Sequence, residues 1–180
     1  MTNLKILALC SLAISCKGGG DHAGAPADKT ASADEAAPAP AKLVYKPLGS
    51  LGLEAQVPDD ANIDDNTKSA GFPSATIWAQ PTTFVMGAGA DSLEPQTFDA
   101  AKQEVQKDPN PFQKFTKQEA TPDGWKLEYE LQSSIDKATI YGYKVRFKID
   151  GKPFDCGSNG RTTAERDAVV KICSTIRKHG

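Results

Sequence analysis

The stretch from Gly124 to Arg177 leaves this chain few folds to choose from. Trp125, Leu127, Tyr129 and Leu131 alternate with Lys126, Glu128 and Glu130. After a short break, Tyr143, Val145, Phe147 and Ile149 alternate with Lys144, Arg146 and Lys148. A period of two marks strands with one face in the core and one toward water. Asp150-Gly151 then supplies a two-residue hairpin turn, because both residue types tolerate the positive φ it needs. Phe154 and Cys156 follow on a short strand, and a helix runs on to Arg177. If the two long strands pair antiparallel, Glu128 and Glu130 lie on the same side as Lys144 and Arg146. Each opposite-charge pair then adds about 0.2–1 kcal/mol, and the Trp, Leu, Tyr, Val, Phe and Ile side chains form the inner face.

The helix has its own signals. Thr162 and Glu165 have the spacing of a capping box. Ala164, Ala168, Val169, Ile172, Cys173 and Ile176 make one apolar face, and Lys171, Arg177 and Lys178 lie toward the end where the helix dipole favours cations. Upstream, Leu43 and Tyr45 alternate with Val44 and Lys46 in an expected edge strand that stops at Pro47. Leu51, Leu53, Ala55 and Val57 form a second strand, ended by Pro58. The polar run 59–69 reads as a loop. Residues 75–79 and 82–86 read as short strands, and 87–90 as a Gly/Ala turn. Thr97 caps an expected helix in which Phe98, Ala101 and Val105 share a face. Residues 112–116 read as a strand, followed by a turn at Pro122-Asp123-Gly124.

The N-terminal end is of another kind. Lys5 is the only charge in the first fifteen residues, and residues 6–14 are apolar except for Ser11. That run is about half the ~20 residues a membrane-spanning helix needs, so it reads as a secretory signal and not as an anchor. It ends in Ala13-Ile14-Ser15-Cys16, followed by Lys17 and three glycines. This resembles the lipobox of bacterial lipoproteins. Ile14 and Ser15 fit the two places before the cysteine, while Ala13 stands where Leu is usual and Leu12 is one place early. The resemblance implies a signal peptide over residues 1–15, Cys16 as first mature residue and lipid attachment site, and a lipid anchor in the bacterial cell envelope. The expected location is the outer membrane, with the protein facing the periplasm or the surface.

Residues 17–41 form a linker in which 16 of 25 residues are Ala, Gly or Pro. It has no large apolar side chain, so folding could not offset its ordering entropy. As a flexible tether it spans on the order of 25–30 Å. A single globular domain is expected over residues 42–180, long enough to bury a core without metal. It carries 18 Lys and Arg against 19 Asp and Glu, a net charge of -1. With no basic run, that balance gives no reason to expect nucleic acid as a partner.

Cysteine usage fits export. Cys10 leaves with the signal and Cys16 takes the lipid, so Cys156 and Cys173 remain. A structural disulfide between them would tie the last strand to the last helix, as suits an oxidising compartment. The rival readings are two buried thiols or a redox pair, although the spacing offers no CxxC motif to activate a thiolate. Catalytic constellations are hard to assemble. The only histidines are His22 in the linker and His179 next to the end. No base is placed for a nucleophilic triad, and zinc lacks ligands. No catalytic residue, metal or cofactor is expected. Gly87 and Gly89 form a GxG whose third place is Ser92, without the unit a dinucleotide fold needs. Asp60, Asn62 and Asp64 have the spacing that opens an EF-hand loop, but Asp65 and Gly71 replace the required Gly and Glu. Trp78, with Phe72, Pro73 and Phe84, reads as core and loop packing before it reads as a partner patch.

The expected architecture is α+β: a mainly antiparallel sheet of about six strands with two helices, the last tied to the sheet by Cys156–Cys173. The element order, with Leu53-Glu54-Ala55-Gln56-Val57-Pro58 as an opening strand, resembles PsbP-like and DcrB-like domains. The resemblance implies a small binding module, of a kind exported in several members and lipid-anchored in some. The expected function is a non-enzymatic module that binds an envelope protein or component. The alternative is an exported small-ligand or calcium binder.

Overall fold

The computed structural model describes residues 42–80, 82–88 and 94–180, with backbone only for 82–88. The expected signal peptide, Cys16 and the linker lie outside them. In chain order come β1 (Leu43–Pro47), a 3-10 turn (Gly49–Leu51), β2 (Leu53–Pro58), β3 (Asn62–Asp65), the one-turn helix α1 (Thr67–Ala70), β4 (Ser74–Ala79) and β5 (Thr82–Ala88). Then follow α2 (Phe98–Gln106), β6 (Phe112–Thr121), β7 (Gly124–Gln132), β8 (Thr139–Ile149), β9 (Lys152–Gly160), α3 (Thr163–Ser174) and β10 (Arg177–Lys178). The fold is α+β. Seven strands form one sheet in the order β3-β4-β5-β9-β8-β7-β6, and β1, β2 and β10 form a second. The pairing is antiparallel throughout.

The described residues thus hold more strands than the six or so expected, and the difference has local causes. Residues 59–69 are not simply a loop. Ile63 packs against the core and pulls β3 onto the edge of the large sheet, where its acidic neighbours stay wet. Gly87 and Ala88 extend β5 opposite Asp155 and Phe154 and do not turn. The last helix ends at Ser174, short of Arg177. Thr175 receives a hydrogen bond from the Gln56 amide at 2.9 Å, and the chain leaves the helix to pair β10 with β2.

The large sheet is covered on both faces, and this sets the core. On one face α3, with β2 and the 3-10 turn, covers Ala75, Ile77, Tyr143, Val145, Phe154 and Cys156. Val169 and Ile172 of α3 are buried there, each worth about 1.5–3 kcal/mol. On the other face α2 lays Ala101 and Val105 on Trp125, Leu127, Tyr129 and Leu131. The apolar residues of β7 and β8 therefore point to opposite faces and share no inner face. The register sets Trp125 beside Arg146 and Leu127 beside Lys144, while Glu128 stands beside Tyr143. The expected Glu–Lys/Arg ladder across β7 and β8 does not form. Glu128 instead lies 3.7 Å from Arg166 on α3, and Glu130 lies 3.2 Å from Lys114 on β6.

The turns obey the backbone rules. Asp150 and Gly151 have φ of 51° and 75°, the pair of positive values that a twisted two-residue hairpin requires. Thr162 caps α3 by accepting the Glu165 amide, and Glu165 in turn accepts from the Arg161 amide, one residue before the expected partner. The outer edge, β6, carries two register shifts against β7, a device that makes an exposed edge harder to extend.

Candidate functional site

The α2 face of the large sheet carries a seam of charge where apolar contact is the usual filling. Lys144 and Arg146 lie two apart on β8, so both point to that face. The segment leading into α2 brings two complementary side chains at the same spacing, Glu94 and Gln96. The Lys144 ammonium donates to Glu94 at 2.9 Å and to Glu104 of α2 at 2.7 Å. Arg146 donates to both carboxylate oxygens of Asp155, at 2.6 and 2.7 Å, and to the Gln96 side-chain oxygen. The Arg146 and Asp155 side chains are 4% and 5% exposed. Such a pair holds its place because removing either member strands the other charge in a low dielectric.

Next to the ion pairs, the Tyr129 hydroxyl donates to Asn159 at 3.0 Å. The Tyr129 ring lies flat on Gly142, where an added Cβ would sit 2.0 Å from a ring carbon. Burial pushes the Tyr129 hydroxyl well above its ordinary range, so it remains a hydrogen-bond donor at any physiological pH. Burial alone would lower the Lys144 pKa, but the Glu94 and Glu104 carboxylates outweigh it and hold the ammonium above its usual value. Lys144 is therefore a fixed positive charge on this face.

Among the described residues two hollows open along it. One, of about 560 Å³, lies between α2, Tyr129 and Lys144. The other, of about 460 Å³, lies between the start of α2, the β6–β7 turn and the ends of β8 and β9. Trp125 lines the second, and its indole Nε1 is buried without a hydrogen-bond partner among the described residues. The β6–β7 turn is pressed onto β8 at this wall, since a Cβ on Gly124 would come 1.9 Å from the Arg146 carbonyl oxygen. The sequence reading treated Lys144 and Arg146 as surface charges. The readable signal was the matched i, i+2 spacing of Glu94 and Gln96 ahead of the Thr97 cap.

The other singled-out residues fall elsewhere. Cys156 of β9 and Cys173 of α3 form a disulfide, with Cα atoms 6.0 Å apart, inside the α3-side core. Trp78 is not core packing: it is 51% exposed and donates from its indole to Asp64. β4 turns Ala75, Ile77 and Ala79 to the α3 side, and Trp78 points to the opposite face, beyond the part that α2 covers. Phe72 and Pro73 are half-buried, and the Phe84 side chain lies outside the described residues. Asn62 and Asp64 stand on a strand and not in a cation-binding loop, with Asn62 donating to Asp64 at 3.3 Å. Among the described residues no group of three or more His, Cys, Asp and Glu could hold a metal ion. His179 sits 3.0 Å from Glu54, on the surface. Hydrogen bonds from His179 first, and then Arg177, hold the Glu54 carboxyl below its ordinary range.

No family model matches the chain, and no curated protein matches it. Among solved structures it is similar to the crystal structure of PA94, a Pseudomonas aeruginosa protein of unknown function. That likeness is at 16% identity and a TM-score of 0.34, over 68% of this chain and 85% of the other, too slight to bear on function.

Proposed function

We propose that this chain is a lipid-anchored protein of the bacterial cell envelope whose folded domain binds another envelope protein or component and catalyses no reaction. The observation that carries this is the N-terminal order of apolar run, Ile14-Ser15-Cys16 and Ala/Gly/Pro linker ahead of a folded domain. The Cys156–Cys173 disulfide supports it, because such bonds persist in oxidising compartments.

Two exposed side chains suit a binding module. Trp78 is one. Ile135 is the other, 92% exposed at the tip between β7 and β8. Its turn is tied down on several sides. The Ser133 hydroxyl accepts from the Ile135 and Asp136 amides, the Ser134 amide donates to Asn110, and Arg161 pairs with Asp136. An apolar side chain held out by an ordered turn loses little freedom when a partner covers it.

The test has two arms. Cys16→Ser should move the protein from the membrane fraction to the soluble or retained-precursor fraction. A photo-crosslinker at position 135 should capture a discrete envelope species that a crosslinker at Lys117 does not. An unchanged membrane fraction, with the signal cut elsewhere, overturns the anchor. Identical crosslinks at both positions overturn the binding surface.

A further inference from the structure

β4 buries every side chain from Ser74 to Ala79 except Trp78. Trp78 stands out half-exposed, and its indole N–H is bonded to Asp64 on the neighbouring strand. With one edge held, the ring presents a fixed face to water and has little freedom to lose when a partner covers it. Of the aromatic side chains, indole offers a cation the strongest π-face.

The charge around it has one sign. Residues 58–80 hold four Asp and one Lys, while the rest of the 42–180 domain is net positive by two. Among the described residues Asp64 accepts from Trp78 and Asn62 alone, both neutral donors. Its charge is uncompensated, and about half of its acceptor sites remain. Asp59 and Asp60, in the turn leading into β3, are exposed and make no ion pair among the described residues. Lys46 reaches that turn but donates to the main-chain carbonyls of Asp59 and Ala61. Lys68 of α1 pairs with none of the four Asp.

The small sheet shows what such an arrangement takes. Glu54 on β2 stands two residues from Gln56, the register partner of Tyr45 on β1. The Arg177 guanidinium lies 3.6 Å from the Tyr45 ring centre and donates to Glu54 at 2.7 Å. Trp78 and Asp64 repeat that aromatic–carboxylate relation on β4 and β3, since Asp64 is two residues from Asn62, the register partner of Trp78. Among the described residues no cation lies on this second pair.

We propose that Trp78 and Asp64 dock an arginine side chain of a partner protein, its guanidinium stacked on the indole and its N–H groups donating to the carboxylate. Arginine fits better than lysine, because its planar group stacks on a ring and bonds a carboxylate at the same time. The net negative charge of residues 58–80 draws a basic segment and repels an acidic one. The proposal rests on the reading of the domain as a binding module and names the chemistry of its partner. Its test uses neither the anchor nor position 135, so either can fail without the other.

The probe is the peptide acetyl-Arg-Gly-Arg-amide, titrated into the full chain carrying Cys16→Ser and followed through the indole N–H resonances. The chain has two tryptophans, so Trp78→Phe assigns the Trp78 signal. The peptide should shift that signal saturably and bind at least about tenfold more tightly than its citrulline counterpart, which keeps the shape and lacks the charge. The lysine counterpart should bind several-fold more weakly. Asp64→Asn should weaken binding several-fold and leave the melting temperature unchanged, because Asp64 is exposed and the amide oxygen still accepts the indole hydrogen. Asp123→Asn removes one charge at the β6–β7 turn, beyond the opposite edge of the large sheet, and should leave binding as it was. A Trp78 resonance unmoved by the peptide overturns the site. Equal binding of the citrulline peptide overturns the cation, and equal binding of the lysine peptide overturns the guanidinium. Equal losses from Asp64→Asn and Asp123→Asn overturn the local pairing. A shift produced by phosphatidylcholine vesicles and not by the peptide gives the ring to a lipid headgroup, and one produced by raising the protein concentration alone gives it to a second copy; each overturns the partner protein.

Discussion

Asp155→Asn isolates the buried ion pair, since it keeps the shape of the side chain and removes its charge. Both Asp155 oxygens take bonds from a single guanidinium nitrogen of Arg146, and each side chain is about 95% hidden from water. Without the carboxylate, Arg146 must stay charged where little water reaches it, with neutral acceptors among the described residues, the Gln96 oxygen and the new amide oxygen, in place of an anion. Breaking a buried pair from one side costs about 3–5 kcal/mol. For a domain of this size each ~1 kcal/mol shifts the melting temperature by about 2–5 °C, so the drop should be on the order of 10–20 °C. The double variant Arg146→Met/Asp155→Leu removes both charges and should lie within about 1–2 kcal/mol of the parent, because neither charge is then stranded. Urea unfolding of the parent, Arg146→Met, Asp155→Leu and the double closes the cycle. Single variants that each cost under ~1 kcal/mol, or a double whose cost equals their sum, would refute the idea of a dry, closed pair.

Removal of the disulfide by Cys156→Ala/Cys173→Ala should cost about 2–5 kcal/mol and loosen α3 from β9. Thiol titration of the denatured parent should find neither cysteine, and two free thiols in envelope-derived protein would sink this. Acid stability should carry the signature of Asp65, whose carboxyl is held down at about 2 by hydrogen bonds from Thr67 first and Ser50 after. Because the folded value lies below the ordinary 3.8, the contribution is present above about pH 4 and is lost as pH falls through about 2. Asp65→Asn should flatten that region of the melting-temperature profile, and superimposable profiles would refute it.

How much of this was legible follows from what periodicity can carry. Alternation along Trp125–Leu131 and Tyr143–Ile149 identifies two strands, and Asp150-Gly151 identifies the next hairpin, because these are properties of a single strand or turn. Which face of β7 meets which face of β8 depends on the turn at 133–138, where Lys137 takes φ of 62°. A shift of one residue there exchanges the faces. The sequence reading assumed a one-sided sheet and so drew Glu128 toward Lys144. In a sheet covered on both sides each strand can turn its apolar row to a different layer. The capping residues Thr97 and Thr162 and the Cys156–Cys173 pair were readable because each rests on local chemistry or on simple elimination. The seam at Lys144 and Arg146 was not, since Glu94 and Gln96 reach it from fifty positions away. Trp78 was misjudged because its size suggests burial while its neighbours on β4 had already filled the inner face.

The position of β1 has a mechanical consequence. Everything before Leu43 joins the described domain through this strand, which among the described strands pairs with β2 alone and lies at the rim of the small sheet. A pull arriving along the chain from that side meets β1 first. Its rungs, from Leu43 opposite Pro58 to Pro47 opposite Glu54, can open in succession, like a zipper drawn from its free end. β2 is held on its far flank by β10 and from beneath by Leu53, Ala55 and Val57. The strand nearest the tug thus yields before the seven-stranded sheet feels it, and it can re-form when the tension drops.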